Sequence, residues 1–115
     1  MLRLAAALLL LAAPALAQTR AYCGGRIAAE GFSVAAGPDL QAAATYNVTL
    51  RNTTQQAVAA VLTFRGPPDF ADMARDLPVT LGPGEAQAFR LATARGGDAA
   101  RITAALPNMT EVECR

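Results

Sequence analysis

Apolar residues recur at every second position over much of this chain. Ala44, Tyr46, Val48 and Leu50 fall on one side of a segment whose other side is Thr45, Asn47, Thr49 and Arg51, the period of a strand with one buried face. Thr53-Thr54-Gln55-Gln56 supplies turn residues, and Val58, Ala60, Leu62 and Phe64 alternate on the return. Val61 lies on the opposite side, which predicts a strand covered on both faces. Upstream, residues 26–36 are apolar around Gly31 and end at Gly37-Pro38-Asp39, so a bulged first strand and a turn are expected there. Downstream, Leu77, Val79 and Leu81 alternate, Pro83-Gly84 suits the centre of a type II turn, and Phe89 and Leu91 alternate beyond it.

Two segments break or repeat this rhythm. Phe70, Met73, Ala74 and Leu77 stand at i, i+3, i+4 and i+7 between Pro68 and Pro78, with Asp69 as an N-cap, which predicts a short helix. After a loop at Arg95–Asp98, Ile102, Ala104 and Leu106 predict a sixth strand, and Val112 and Cys114 a last one, with Pro107-Asn108 between them. Six to seven short strands and one brief helix define an all-β chain, an antiparallel, immunoglobulin-like β-sandwich. Its expected core is Tyr46, Val48, Leu50, Val58, Leu62, Phe64, Leu81, Phe89, Leu91 and Ile102.

The first residues do not belong to that domain. Arg3, the apolar run Leu4–Ala13, Pro14 and Ala15-Leu16-Ala17 have the form of a secretory signal peptide cleaved after Ala17. The run is shorter than the roughly 20 apolar residues that span a bilayer, so no membrane span is expected after cleavage. Residues 18–115 then form a single domain in the periplasm or outside the cell. Cys23 lies too far from the cleavage point for lipid attachment. The chain has no lysine, a usage typical of GC-rich bacteria. Losing Arg3 from ten basic residues leaves nine against nine acids, a balance that offers no basic field to nucleic acid.

Export also changes the reading of the two cysteines. Cys23 and Cys114 sit near opposite ends, and in an oxidising compartment such a pair reads as a disulfide. Closing a loop of about 92 residues removes about 4.6 kcal/mol of unfolded-state entropy on the chain-entropy model. No Cys-x-x-Cys spacing supports a redox role.

Residues 44–92 carry a resemblance. The alternating strand and mostly apolar return of ATYNVTLRNTTQQAVAAVLTF, together with LPVTLGPGEAQAFRL, resemble the paired strands of bacterial extracytoplasmic immunoglobulin-like and fibronectin-III-like domains. The resemblance implies a sandwich and no ligand, because the tryptophan and mid-strand cysteines of antibody-type domains are missing. In size, expected fold and compartment the chain is also similar to the curli-assembly chaperones, which keep amyloid subunits soluble.

Candidate chemistry is sparse. There is no histidine, which removes the Ser-His and Cys-His nucleophile arrangements and the usual zinc and copper ligand. Met73 and Met109 read as core filling rather than as a thioether site. Asp69, Asp72 and Asp76 would share one side of the expected helix, which reads as a solvated face with Arg75 among the acids; the alternative is a hard-cation site in a small enzyme or metal carrier. The triplets Asn47-Val48-Thr49, Asn52-Thr53-Thr54 and Asn108-Met109-Thr110 match glycan acceptors, but strand polarity and turns account for them without sugar.

The expectation is therefore an exported, non-catalytic binding or assembly accessory domain without cofactor or metal, chaperone-like and with a protein partner in the envelope. A purely structural envelope component is the further alternative. The candidate binding surface is Gln55, Gln56, Arg95 and Asp98 on turns and loops, with Glu111 and Glu113 at an edge.

Overall fold

A computed structural model describes residues 20–35, 43–95 and 99–115. The expected signal peptide, the Gly37-Pro38-Asp39 turn and Asp98 lie outside the described residues. Seven strands and one α-helix follow in order: β1 (Arg20–Tyr22), β2 (Ile27–Ala35), β3 (Ala43–Asn52), β4 (Val58–Phe64), β5 (Leu77–Leu81), β6 (Ala86–Arg95), α1 (Ala99–Met109) and β7 (Thr110–Cys114). They build a four-stranded sheet, β1-β2-β3-β6, and a three-stranded sheet, β5-β4-β7, with every pairing antiparallel.

The alternating apolar positions meet in one core between the sheets. Tyr46, Val48 and Leu50 from β3, Val58, Leu62 and Phe64 from β4, Leu81 from β5 and Leu91 from β6 are all buried in it, and Phe89 and Ile102 pack at its margin. Ile27, Ala29 and Phe32 from β2 join it, as do Val79 from β5, Leu106 from α1 and Val112 from β7. Val61 is buried on the opposite side, but Ala59 is exposed and Thr63 half-buried there, so the second face of β4 is not covered along its length as expected. The four-stranded sheet bends at two irregularities, one between Ala29 and Gly31 of β2 and one opposite the Tyr46/Asn47 step of β3. The second inserts Leu91 as an extra residue, so that Leu91 and Ala92 are both fully buried. The turn after β5 has the expected form: Glu85 N donates to Gly82 O at 3.0 Å, and Gly84 takes the positive φ of 69° that its place in the turn requires.

The helix is elsewhere than expected. The segment after Pro68 is not helical, because its backbone groups bond to neighbouring strands: Ala71 exchanges two hydrogen bonds of 2.8 Å with Thr93, Ala74 N donates to Leu91 O at 2.8 Å, and Phe64 N donates to Ala74 O at 2.8 Å. Phe70 stacks between Tyr46 and Phe64, with ring centroids 6.0 and 6.1 Å away. Residues 99–109 form α1 where a strand was expected. Alanine there favours a helix, and Ile102, Leu106 and Met109 at i, i+4 and i+7 supply its packed side. Its C-terminus is satisfied from outside: Thr110 Oγ1 donates to Leu106 O at 2.8 Å, and Arg20 donates to Pro107 O at 2.9 Å and to Asn108 Oδ1 at 3.1 Å.

Asn52 ends β3 on the same side as Tyr46, Val48 and Leu50, and it is fully buried. Its amide nitrogen donates to the carbonyls of Gln56 at 2.6 Å, Leu81 at 3.0 Å and Gly82 at 3.0 Å. Its oxygen accepts from Thr54 N at 2.8 Å and from Thr54 Oγ1 at 2.7 Å. The acceptor reading of this triplet is thereby removed in the folded chain, since the nitrogen that would carry a sugar has no access to solvent. A second tie is covalent. Cys23, in the 3-10 turn after β1, is bonded to Cys114 of β7 with a Cα separation of 5.7 Å, joining the two sheets at one corner as expected.

Reduction of this disulfide is expected to lower stability by about 2–5 kcal/mol, read from urea unfolding with and without reductant; an unchanged midpoint would contradict the role given to it. Asn52→Asp should cost on the order of 3 kcal/mol near neutral pH, because a buried carboxylate would face three carbonyl oxygens. Its carboxyl pKa would be raised in the fold, so the variant's stability should be greatest below the ordinary carboxyl pKa of about 4 and fall as pH rises. Denaturant unfolding at pH 4 and 7 checks this.

Candidate functional site

The surface residues singled out in the sequence do not converge. Gln55 and Gln56 lie exposed in the turn after β3, while Arg95 pairs with Ala43 at the other end of that strand, roughly 30 Å away along ten extended residues. Glu111 and Glu113 are exposed on β7, an edge of the smaller sheet as expected, and Glu111 forms an ion pair with Arg65. Asp98 is outside the described residues.

The carboxylates Asp69, Asp72 and Asp76 share no helix face, because no helix forms there. Asp72 and Asp76 adopt positive φ of 53° and 47°, and Asp72 Oδ2 accepts from Thr93 Oγ1 at 3.2 Å. Among the described residues no group of three or more His, Cys, Asp or Glu is placed to hold a metal ion. Met73 and Met109 pack against the core. A cleft of about 450 Å³ beside α1 has apolar walls that include Phe70, Ile102 and Met109, with Asp69, Arg95 and Arg101 also lining it; among the described residues no nucleophile–base pair faces into it.

What the fold exposes instead is backbone. Two sheets have four edges, and natural sheets blunt theirs with short strands, proline or charge. In the described structure β1 has only three residues and its Arg20 is bonded to the end of α1; it covers β2 from Ile27 to Ala29, and Gly31–Ala35 of β2 has no described strand beyond it, although α1 packs against that strand. Strand β5 carries Pro78, which lacks a donor. Strand β7 carries Glu111 and Glu113 and is pinned by the disulfide. Strand β6 is long, and its second half is covered by the Ala71–Ala74 segment. Its first half, Ala86–Arg90, has no strand beyond it among the described residues and contains neither proline nor an acid.

The ladder fixes which groups of that half-strand point outward. Asn52 N donates to Glu85 O at 2.9 Å, which places Leu50/Gln87 and Val48/Phe89 at hydrogen-bonded positions by alternation. Ala86, Ala88 and Arg90 therefore turn their N–H and C=O away from β3, and all three residues are exposed. Beyond the bulge the same alternation turns Thr93 outward, as its bonds to Ala71 require. The open edge is five residues long, about 17 Å.

One titratable group near β1 is held out of water without a partner. The Tyr22 hydroxyl is buried and makes no hydrogen bond. Burial pushes its pKa above the ordinary 10.0, and Arg20 partly opposes the shift. No protein family, curated protein or solved structure matches this chain.

Because that hydroxyl is unsatisfied, Tyr22→Phe should leave stability at pH 7 unchanged or raise it by up to about 1 kcal/mol. A raised phenol pKa contributes stability that is present below pH 10.0 and lost as pH climbs through the folded value. Urea unfolding at pH 8 and at about pH 10.5 should show the parent losing more stability than the variant.

Proposed function

We propose that this chain is an exported, non-catalytic binding module of the cell envelope, and that it holds a partner polypeptide by adding the partner's strand to β6. The observation that carries this reading is the open half-edge Ala86–Arg90, free of proline and acid and with Arg90 its one charge, in a sandwich whose other described outermost strands are short, proline-bearing or lined by two acids. Strand addition draws its affinity from main-chain bonds and its selectivity from the alternating side chains. The leader-like first residues and the disulfide support an oxidising compartment beyond the inner membrane. There the module would be chaperone-like, covering the exposed strand of an envelope protein, and we read the sandwich as immunoglobulin-like.

The alternation supplies the test. Ala88→Pro removes an outward N–H and sets a ring in the incoming strand's path without breaking a bond to β3. It should abolish capture of the partner from the protein's own envelope fraction, with stability held within about 0.5 kcal/mol. Phe89→Pro, one residue on, loses a ladder bond and should destabilise by on the order of 2–3 kcal/mol. A partner retained by the folded Ala88→Pro variant would refute strand addition at β6.

A further inference from the structure

We infer that the β6 edge selects an extended segment with carboxylates on one side and apolar residues on the other; the inference rests on the reading of β6 as the binding edge. The outward-facing surface of the open half-strand consists of the two small side chains Ala86 and Ala88 and the cation Arg90. Opposite them on β3 stand Arg51, Thr49 and Asn47. Arg51 is already compensated, with Nε 2.6 Å from the Glu30 carboxylate and a second nitrogen donating to Gly84 O at 2.7 Å. Arg90 has no acid within ion-pair distance among the described residues, and the neutral Asn47 across from it supplies none.

Two acids placed beside β6 are engaged elsewhere. Glu85 Oε1 accepts from Gly82 N at 2.7 Å in the turn, and Asp72 accepts from Thr93 Oγ1 beyond the bulge. Further along β6, Arg95 shares its cleft with Asp69 and Asp72, so Arg90 is the cation that this edge leaves uncompensated. A strand docked beside Ala86–Arg90 thus brings side chains against a face whose uncompensated charge is positive, and cross-strand neighbours of opposite charge attract. The alanines leave room for its bulkier side chains.

The other side of the same strand asks for the opposite chemistry. Phe89 is half-buried and packs at the margin of the core, with the exposed Gln87 beside it on that side. An apolar side chain from the incoming strand would cover the open flank of the Phe89 ring, extending the core by one residue past the sheet's own edge. Alternate positions of a strand face opposite sides. The segment recognised is therefore an alternating acidic and apolar strand.

Three nine-residue peptides test this with the disulfide-bonded chain: alternating valine and glutamate, valine and lysine, and valine and serine. The acidic peptide should slow amide exchange at Ala86, Ala88 and Arg90 and leave β7 unchanged, and should bind about tenfold tighter than the basic one. Arg90→Glu should invert that order. Equal affinity for all three peptides, or protection appearing on β5 or β7 instead, overturns the inference. So does protection of the three amides that rises with protein concentration in the absence of peptide, which would assign the edge to a second copy. Charge-indifferent peptides combined with loss of the envelope partner in Ala88→Pro would remove the selectivity and leave strand addition standing. A partner indifferent to Ala88→Pro would remove both.

Discussion

The two sheets of this sandwich are joined at the corner where β3 ends, and a single buried carboxamide makes that joint. Asn52 belongs to the larger sheet, yet its nitrogen is shared among carbonyls of the following turn and of the end of β5 in the smaller sheet. No other side chain of its size offers both donors and an acceptor in one plane. An aspartate lacks the donors, and a leucine would leave three carbonyls dry. The bond from Asn52 N to Glu85 O then starts the β3–β6 ladder, so the same residue that fixes the corner also sets the phase of the strand beside it. Which backbone groups of β6 face outward follows from that phase.

Further constraints act where β6 passes its bulge. Strand β6 cannot continue as a free edge past Leu91, because the Ala71–Ala74 segment closes on it while Phe70 fills the space between Tyr46 and Phe64. Helix α1 then carries the chain from the larger sheet to the smaller one, and Arg20 of β1 receives its last turn. Covered and open edge thus divide at the bulge, where the ladder is already disturbed and the strand bends.

Much of this was legible in the sequence. Strict alternation through Tyr46, Val48 and Leu50, and through Val58, Leu62 and Phe64, identified the strands and their buried sides, since a strand with one wet face has no other pattern. The turn at Pro83-Gly84 and the irregularity at Gly31 announced themselves by residue type. Asn52 was within reach of the same parity, two positions beyond Leu50, but asparagine beside threonines reads as a turn. The helix was misplaced because small residues satisfy two periods at once: Ile102, Ala104 and Leu106 suit a strand, and Ile102, Leu106 and Met109 suit a helix. Conversely, the helical spacing of Phe70, Met73 and Ala74 yielded to long-range bonds with β6 and β4. The open edge was not legible at all, because strand order is a tertiary property, and Ala86, Ala88 and Arg90 carry no local sign of lying outermost.

The disulfide has a mechanical side as well. Cys23 precedes β2 and Cys114 closes β7, so nearly every strand lies within the covalent loop between them. Tension entering ahead of Cys23 and leaving beyond Cys114 runs through one sulfur–sulfur bond and bypasses the ladders that join β2 to β7. Under such a load only the short β1, which lies ahead of Cys23, is pulled against its ladder, and the edge of β6 keeps its shape.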